Sequence, residues 1–311
     1  MATKCVSLVR GRVARFTRLD NCGRLVYGPN SVVTTKGIVT VAYTVVVDEG
    51  EEINVKNFAD ETCLREPARP QFQGLTAEIT FCQVDPELFA MATGQRVLYN
   101  AFGDAVGFSQ DTKVIPADSA FALEVWSGAS TGGVCPEGGQ GEYGYFLLPF
   151  IQGGTIGDLT IENAEVTFTV TNVATRDGNQ WGVGPYNVEL DALSAPGPLV
   201  DPLTSTEHFA LKLTNVAPPT AQCGAWPLLD PADTEITSVT PTPDETDPEA
   251  TFEITAAASE PWYIVVDGID GFFYSADGSD ITIDFGTAGT YDWTAYRGSD
   301  STTGTVTVPS P

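Results

Sequence analysis

The sequence predicts a mainly β protein, and three observations support this prediction. Several short segments alternate apolar and polar side chains with the period of two that half-buried strands show. The chain contains 31 glycines and 21 prolines, which are typical of a turn-rich β fold. Hydrophobic residues make up 42% of its 311 residues, so the chain can form sizeable cores and is long enough for more than one domain.

Several strands and one helix are predicted in the longer N-terminal part of the chain. Four of these strands, recognised by β-branched or alternating sequences, are 38–47, 75–82, 120–126 and 163–171. The helix follows the second of them, because Asp85 can cap its N-terminus and Pro86 fits its first turn. Gly94 ends this helix. We therefore expect a β-sandwich or barrel with one flanking helix.

A change in composition near residue 235 predicts a domain boundary. From Ile236 onward the chain has one basic residue, many Thr, Asp and Gly, and short strand-like segments at the spacing of a β-sandwich. Trp262 and Trp293 are candidate core residues of a small immunoglobulin-like sandwich. We therefore predict two domains, 1–234 and 235–311.

The net charge of −26 is distributed unevenly along the chain. A basic groove that binds nucleic acid through its phosphates is excluded by this balance. Residues 1–24 nevertheless hold six basic residues and one acid. This segment is either an arm that docks on an acidic surface, such as another copy of the chain, or a solvated terminus. The candidate docking residues of the arm are Arg10, Arg12, Arg15 and Arg18.

The chain shows no motif that indicates catalysis, a cofactor or a metal, so we expect none of the three. It lacks nucleophile-elbow, phosphate-loop and zinc-protease signatures, and His208 is the single histidine. The six cysteines form no CxxC pair, and we expect them to be reduced and buried. Calcium ligation remains an alternative reading of five aspartates in the C-terminal domain: Asp267, Asp270, Asp277, Asp280 and Asp284.

Three glutamates lie on the polar sides of the predicted strands: Glu78, Glu124 and Glu165. If these strands share a sheet, its exposed face is acidic and rich in threonine, and it either lines a pore or contacts solvent. The valine-rich segment 38–47 favours the pore, because an exposed flat strand needs covering or pairing. Pairing between copies in a closed ring removes such edges.

The part of the chain before residue 230 resembles the major tail proteins, or tail tube subunits, of long-tailed actinobacterial phages. The resemblance depends on the following segments, taken together: DEGEEINVKN, GLTAEITFCQVDPELFAMATG, ALEVW with a Cys-bearing glycine loop after it, GYFLLPFIQGGTIGDLTIENAEVTFTVTN, WGVGPYNV and APPTAQCG. It implies a structural virion protein whose hexameric rings stack into a tube. Double-stranded DNA passes through such a tube during ejection without specific binding.

The resemblance also implies partners and a location. The partners are other copies of the chain and the tape measure, terminator and tail tip proteins. Assembly takes place in the bacterial host cytoplasm, the product is the virion tail, and no membrane insertion is expected. The acidic C-terminal domain resembles the decoration domains that such proteins display outside the tube, where weak contact with a cell surface is a further expectation.

Two other classes of function remain open. The chain is alternatively a cell-surface or virion adhesion protein whose last domain binds glycans, with Trp262, Tyr263 and Trp293 as stacking residues. An acidic hydrolase with paired carboxylates is a third class, which no specific motif favours.

Overall fold

The computed structural model describes residues 7–101, 104–130, 142–157, 167–233, 235–256 and 259–310. The chain divides into two compact units. Unit 1 comprises the chain up to Leu25 together with Val33–Gly224, and unit 2 comprises Val26–Val32 together with the chain from Ala225. The described residues are mainly β with one α-helix, which confirms the predicted fold class. The domain boundary at 234/235 stays a prediction.

The strands before residue 230 vary widely in length. In chain order they are β1 (Ser7–Leu19), β2 (Gly28–Thr35), β3 (Ile38–Asp48), β4 (Ile53–Lys56), β5 (Thr62–Glu66), β6 (Gln71–Phe81), β7 (Arg96–Tyr99), β8 (Ala105–Ser109), β9 (Ala120–Ser130), β10 (Tyr143–Gln152), β11 (Thr155–Ile156), β12 (Phe168–Thr175), β13 (Glu189–Leu190), β14 (Pro196–Gly197), β15 (Ala210–Thr214) and β16 (Trp226–Leu228). The helices are α1 (Pro86–Thr93) and a short 3₁₀-helix at Pro116–Asp118.

The main sheet of unit 1 is antiparallel, with the order β1-β9-β10-β12-β6-β3. Strand β11 pairs with β12, and β15 pairs with β10 beyond the end of the β10–β12 pairing. The predicted strands 38–47, 75–82 and 120–126 correspond to β3, β6 and β9. The fourth predicted strand, 163–171, is described only from residue 167 onward, and there β12 begins at Phe168.

Unit 1 buries apolar side chains on both faces of β9 and β10. On one face, Phe16, Phe81 and Phe121 form an aromatic core, with the Phe16 ring centroid 5.5 Å from that of Phe121. On the other face, the cluster includes Trp126, Tyr145 and several residues of the 181–199 segment. These two strands are therefore buried on both sides, whereas β3 and β6 are covered on one side only.

The single α-helix forms where the sequence predicts it. The Asp85 carboxylate accepts hydrogen bonds from the backbone N–H groups of Glu87 and Leu88, and Gly94 ends the helix in the left-handed conformation with φ 71°. Leu88 and Phe89 are buried, and Phe89 lies 5.3 Å from Phe81 between ring centroids. The helix thus closes one end of the aromatic core. No helix among the described residues is long and apolar enough to span a membrane.

Unit 2 contains a β-sandwich. Its strands are β17 (Ile236–Pro243), β18 (Glu249–Ala256), β19 (Trp262–Val266), β20 (Phe273–Ser275), β21 (Ile281–Asp284), β22 (Gly289–Arg297) and β23 (Asp300–Val308). They form a three-stranded sheet, β17-β18-β21, and a four-stranded sheet, β20-β19-β22-β23. One core joins the two sheets, and the predicted core residues Trp262 and Trp293 are both buried in it.

Candidate inter-subunit surface

Strand β3 is an exposed edge strand. It pairs with β6 along its length, and no described strand pairs with its other edge. The side chains of Val39 and Val45 are 55% and 58% exposed. Natural proteins usually protect such edges with Lys, Pro or a covering segment, but β3 contains neither Lys nor Pro. Its eleven residues therefore offer both backbone hydrogen-bonding groups and apolar side chains to a partner.

An apolar groove separates the first half of β3 from β1. Its walls are formed by residues 11–14 and 35–43, and its floor includes Val125 and Phe146. The groove encloses about 380 Å³ and is open to solvent. The charged side chains that line it are Arg12 and Lys36, and its described lining contains no acid.

The apolar surface continues from the groove onto β15. The ring of Phe209 lies 6.1 Å from Tyr43 and 6.3 Å from Phe146, between centroids. Beyond it, Leu211 and Leu213 are 50% and 41% exposed. A contiguous apolar patch on a folded unit commonly marks an interaction site.

A hairpin extends from the end of β3 without any core of its own. Every residue from 44 to 67 is exposed, although β4 and β5 pair within this segment. Isolated two-stranded hairpins are marginally stable in water, so a segment of this kind gains most from a partner. The segment contains seven acidic and two basic residues.

The opposite, polar face of β3 and β6 is rich in threonine and includes Glu78. The backbone register places Thr40 opposite Thr80, and Thr80 in turn opposite Thr169 of β12. Glu78 is exposed and pairs with Ala42 on β3. The sequence correctly places Glu78 on an exposed, threonine-rich side of its strand.

Glu124 does not belong to that exposed face, and the prediction that it does is wrong. Its side chain is fully buried, and Arg15 on the paired strand β1 donates hydrogen bonds to it from Nε at 2.6 Å and from Nη2 at 2.7 Å. Tyr145 Oη donates a third hydrogen bond, at 2.7 Å. The alternation of β9 identifies a polar side but does not show that another segment of unit 1 covers it.

Burial and the Glu124 charge shift the pKa values of Arg15 and Tyr145. Burial lowers the pKa of Arg15, but the Glu124 carboxylate more than offsets this and raises that pKa above its usual value. Burial, together with the negative charge of Glu124, raises the pKa of the Tyr145 phenol well above its usual value. The Tyr186 ring stacks on the Arg15 guanidinium, with 3.3 Å between the guanidinium carbon and the ring centroid.

Most of the basic segment 1–24 is part of the main sheet. From Ser7 to Leu19 it forms β1, which pairs with β9 inside the main sheet. Arg15 is therefore unavailable for docking, and this part of the prediction is wrong. Arg10 and Arg12 are exposed and Arg18 is half-buried, so these three keep their proposed docking role as a prediction.

The remaining predictions concern Glu165, the cysteines and three aromatic residues of the C-terminal domain. Glu165 lies outside the described residues, as do Cys5 and Cys135. The four described cysteines are free and exposed, so the expectation of buried thiols is wrong for them: Cys22, Cys63, Cys82 and Cys223. Trp262 and Trp293 are core residues and do not form a glycan-stacking surface, whereas Tyr263 is half-buried and stacks on Tyr296 with centroids 4.8 Å apart.

The His208 side chain lies between Thr175, the last residue of β12, and Asp177. Its Nδ1 lies 2.8 Å from Thr175 Oγ1, and its Nε2 lies 2.7 Å from the Asp177 carboxylate. Thr175 is buried, and its Oγ1 accepts a hydrogen bond from the backbone N–H of Leu75 on β6. The order Thr–His–Asp resembles a nucleophilic triad. The Thr175 hydroxyl, however, is buried and hydrogen-bonded to the backbone of β6, so it is not accessible to a substrate.

The aspartates considered for calcium do not form a ligand set. Asp277 accepts hydrogen bonds from the backbone and side chain of its own turn, and those from Ser279 lower its pKa. Asp284 likewise accepts a hydrogen bond from the backbone N–H of Gly286. Among the described residues, no group of three or more His, Cys, Asp or Glu side chains is placed to hold a metal ion.

Comparison with known proteins adds no assignment to this geometry. Neither a scan against models of protein families nor a search of curated proteins found a match to the chain.

Proposed function

We propose that this chain is a tail tube subunit of a long-tailed phage. Its copies form hexameric rings that stack into a tube, and the tube conducts double-stranded DNA during ejection. The observation that carries the proposal is the long edge strand β3, whose side chains are exposed or half-buried and whose second edge pairs with no described strand. A ring of copies that pair edge to edge removes every such edge.

The polar face of β3 and β6 is the proposed lumen wall. Threonines and Glu78 offer phosphates no cationic partner, so DNA slides past them rather than binding. The charge of the part outside the sandwich supports this role, because residues 1–234 hold 27 acidic and 14 basic residues and a ring of acidic subunits repels a polyanion. The net negative charge excludes tight binding of DNA but not the passage of DNA through the tube.

The remaining surfaces have proposed roles in the same assembly. The exposed segment 44–67 contacts the next ring, and Arg10, Arg12 and Arg18 contact acidic neighbours. The C-terminal sandwich is displayed outside the tube. The tape measure, terminator and tail tip proteins are the other expected partners, and the assembled product is the virion tail.

The experiment is to test whether the purified chain assembles and whether β3 drives assembly. At high concentration, negative-stain images are expected to show rings or tubes, and sedimentation velocity is expected to show large species. Val45→Lys introduces a charge at a residue that is 58% exposed in the folded unit, so it should block assembly while preserving the circular dichroism spectrum. A wild-type chain that stays monomeric at all concentrations contradicts the proposal.

A further inference from the structure

The hairpin of unit 1 ends in a hydrogen-bonded turn that presents an aromatic side chain to solvent. Asn57 Oδ1 accepts hydrogen bonds from the backbone N–H groups of Ala59 and Glu61, both at 2.9 Å. The Asn57 backbone N–H also donates to the Glu61 carbonyl, and Lys56 forms an ion pair with Asp60 at 2.9 Å. Phe58 lies within this turn and is fully exposed. An exposed aromatic ring on a hydrogen-bonded turn has the properties of an interface anchor.

The apolar groove between β1 and β3 has the properties of a receptor for such an anchor. Its volume of about 380 Å³ holds a small number of side chains, and Val39, Val41 and Tyr43 form one wall. The basic residues at this groove are Arg12 and Lys36, both exposed, while the hairpin segment is acidic overall. The two features are therefore complementary in polarity and in charge.

The groove and the turn of one copy do not meet. Phe58 is fully exposed in the folded unit, so its own groove does not hold it. The groove is built on the first half of β3 and the hairpin follows its last residue, Asp48. At ~3.3 Å per residue, the five steps from Tyr43, the last groove residue of β3, to Asp48 separate them by roughly 17 Å. A contact between them therefore requires a second copy.

We propose that Phe58 of one copy inserts into the β1–β3 groove of the next copy. The inference rests on the proposed self-assembly and names the two surfaces that meet in it. Donor and receptor lie at opposite ends of one strand, so the contact is head-to-tail, and repeated contacts of this kind build a ring if they close and an open filament if they do not. Asp60 and Glu61 lie beside Phe58 in sequence and bring negative charge to the Arg12 and Lys36 side of the groove.

The first test compares two apolar side chains on similar turns. Asp191 accepts hydrogen bonds from Leu193 and Ala195, as Asn57 does from Ala59 and Glu61, and Leu193 is 88% exposed. We expect Phe58→Ala to raise the concentration needed for assembly at least tenfold and Leu193→Ala to leave it unchanged. Equal assembly of the Phe58→Ala variant and the wild type overturns the inference.

The second test maps the contact directly. Phe58 is replaced by the photo-crosslinking residue p-benzoylphenylalanine, and ¹⁵N-labelled and unlabelled chains are mixed before assembly. Mass spectrometry is expected to find mixed-isotope cross-links to residues 11–14 or 35–43. Tubes whose cross-links map elsewhere, or are absent, overturn the inference and leave the proposed function standing. A chain that neither assembles nor cross-links contradicts both.

Discussion

Arg15 and Glu124 form a bidentate ion pair in the interior of unit 1, directly opposite each other on β1 and β9. Glu124 is fully buried and Arg15 is 7% exposed. Each charge has lost most of its hydration, so each depends on the other and on Tyr145. The pair joins β1 to β9 in the register that places Arg15 opposite Glu124.

Removal of the Glu124 charge should destabilise the fold strongly. Glu124→Gln leaves the Arg15 guanidinium buried without a counter-charge, at a cost of about 3–5 kcal/mol in the free energy of unfolding. Urea unfolding followed by circular dichroism measures this loss. The matched control is Glu78→Gln, an exposed glutamate on β6 of the same sheet, which should change stability by less than about 0.5 kcal/mol.

The double variant Arg15→Met/Glu124→Leu removes both charges and so tests whether the loss comes from an unpaired buried charge. Apolar residues of similar size need no compensating charge, so the double variant should recover most of the stability that Glu124→Gln loses. If it is less stable than the single variant, desolvation of an unpaired charge is the wrong explanation.

The stability of unit 1 should fall at alkaline pH through Tyr145. Its pKa in the folded state is raised by burial and by Glu124, so above pH ~10 the unfolded chain releases this proton while the folded chain retains it. The contribution is fully present below that pH and is lost as the pH rises. Urea midpoints measured from pH 8 to 11 check the slope.

Tyr145→Phe provides the control for this pH dependence. It removes the hydrogen bond to the Glu124 carboxylate and should cost about 1.5–3 kcal/mol at pH 8. The decline above pH 10 should also become shallower, although Tyr43, whose pKa is raised by burial, retains part of it. An unchanged slope contradicts the role of Tyr145.

Asp85 should contribute more stability than an ordinary helix cap. One carboxylate oxygen accepts from the first turn of α1, and the other accepts from the backbone N–H of Gly224 at 3.0 Å. Asp85→Ala removes both, so we expect a loss of about 2 kcal/mol, at the upper end for capping residues. Asp85→Asn retains an acceptor for the helix and should lose less. Equal losses in thermal unfolding contradict this account.

Local patterns in the sequence predict part of this structure, and long-range contacts determine the rest. Alternation in 75–82 and the Asp85, Pro86 and Gly94 signals are local, and β6 and α1 form where they indicate. The burial of Glu124 was missed because it depends on Arg15, more than a hundred residues away in the chain. The sequence places Glu124 on a predicted strand but places Arg15 in a basic N-terminal segment, so it does not indicate their pairing.

The candidate inter-subunit surface also depends on long-range contacts that local sequence patterns do not indicate. The exposure of the valine-rich strand follows from its terminal position in the sheet, which no local pattern reveals. The groove depends on β1, β3, β9 and β10 together. The acidic sequence DEGEEINVKN is visible in the chain, but the hydrogen bonds of Asn57 form only in the folded hairpin.

Reversal of the Glu78 charge should make the proposed lumen retain DNA. Glu78→Lys places a cation on the threonine-rich face of every copy, and each lysine that contacts a phosphate strengthens binding in a salt-dependent way. Filter binding of tubes to double-stranded DNA at several salt concentrations measures the change. The control is Glu253→Lys, at an exposed residue of the sandwich, and tubes of this variant should bind less DNA than tubes of Glu78→Lys. The same effect from both variants contradicts the lumen assignment.

Removal of residues 235–311 should leave assembly intact. Strand β3, the groove and the hairpin all belong to unit 1, so the proposed contacts do not require the sandwich. Electron micrographs of the truncated chain should show tubes of smaller outer diameter and the same lumen. Failure to assemble, with unit 1 still folded by circular dichroism, contradicts the decorative role of the sandwich.

The most direct measurement of the central claim is a cryo-electron microscopy reconstruction of the assembled chain. It is expected to show stacked six-membered rings in which β3 contacts a neighbouring copy and the face that includes Thr40, Glu78 and Thr80 lines the lumen. A reconstruction with β3 exposed on the outside of the assembly, or with no continuous lumen, contradicts the account.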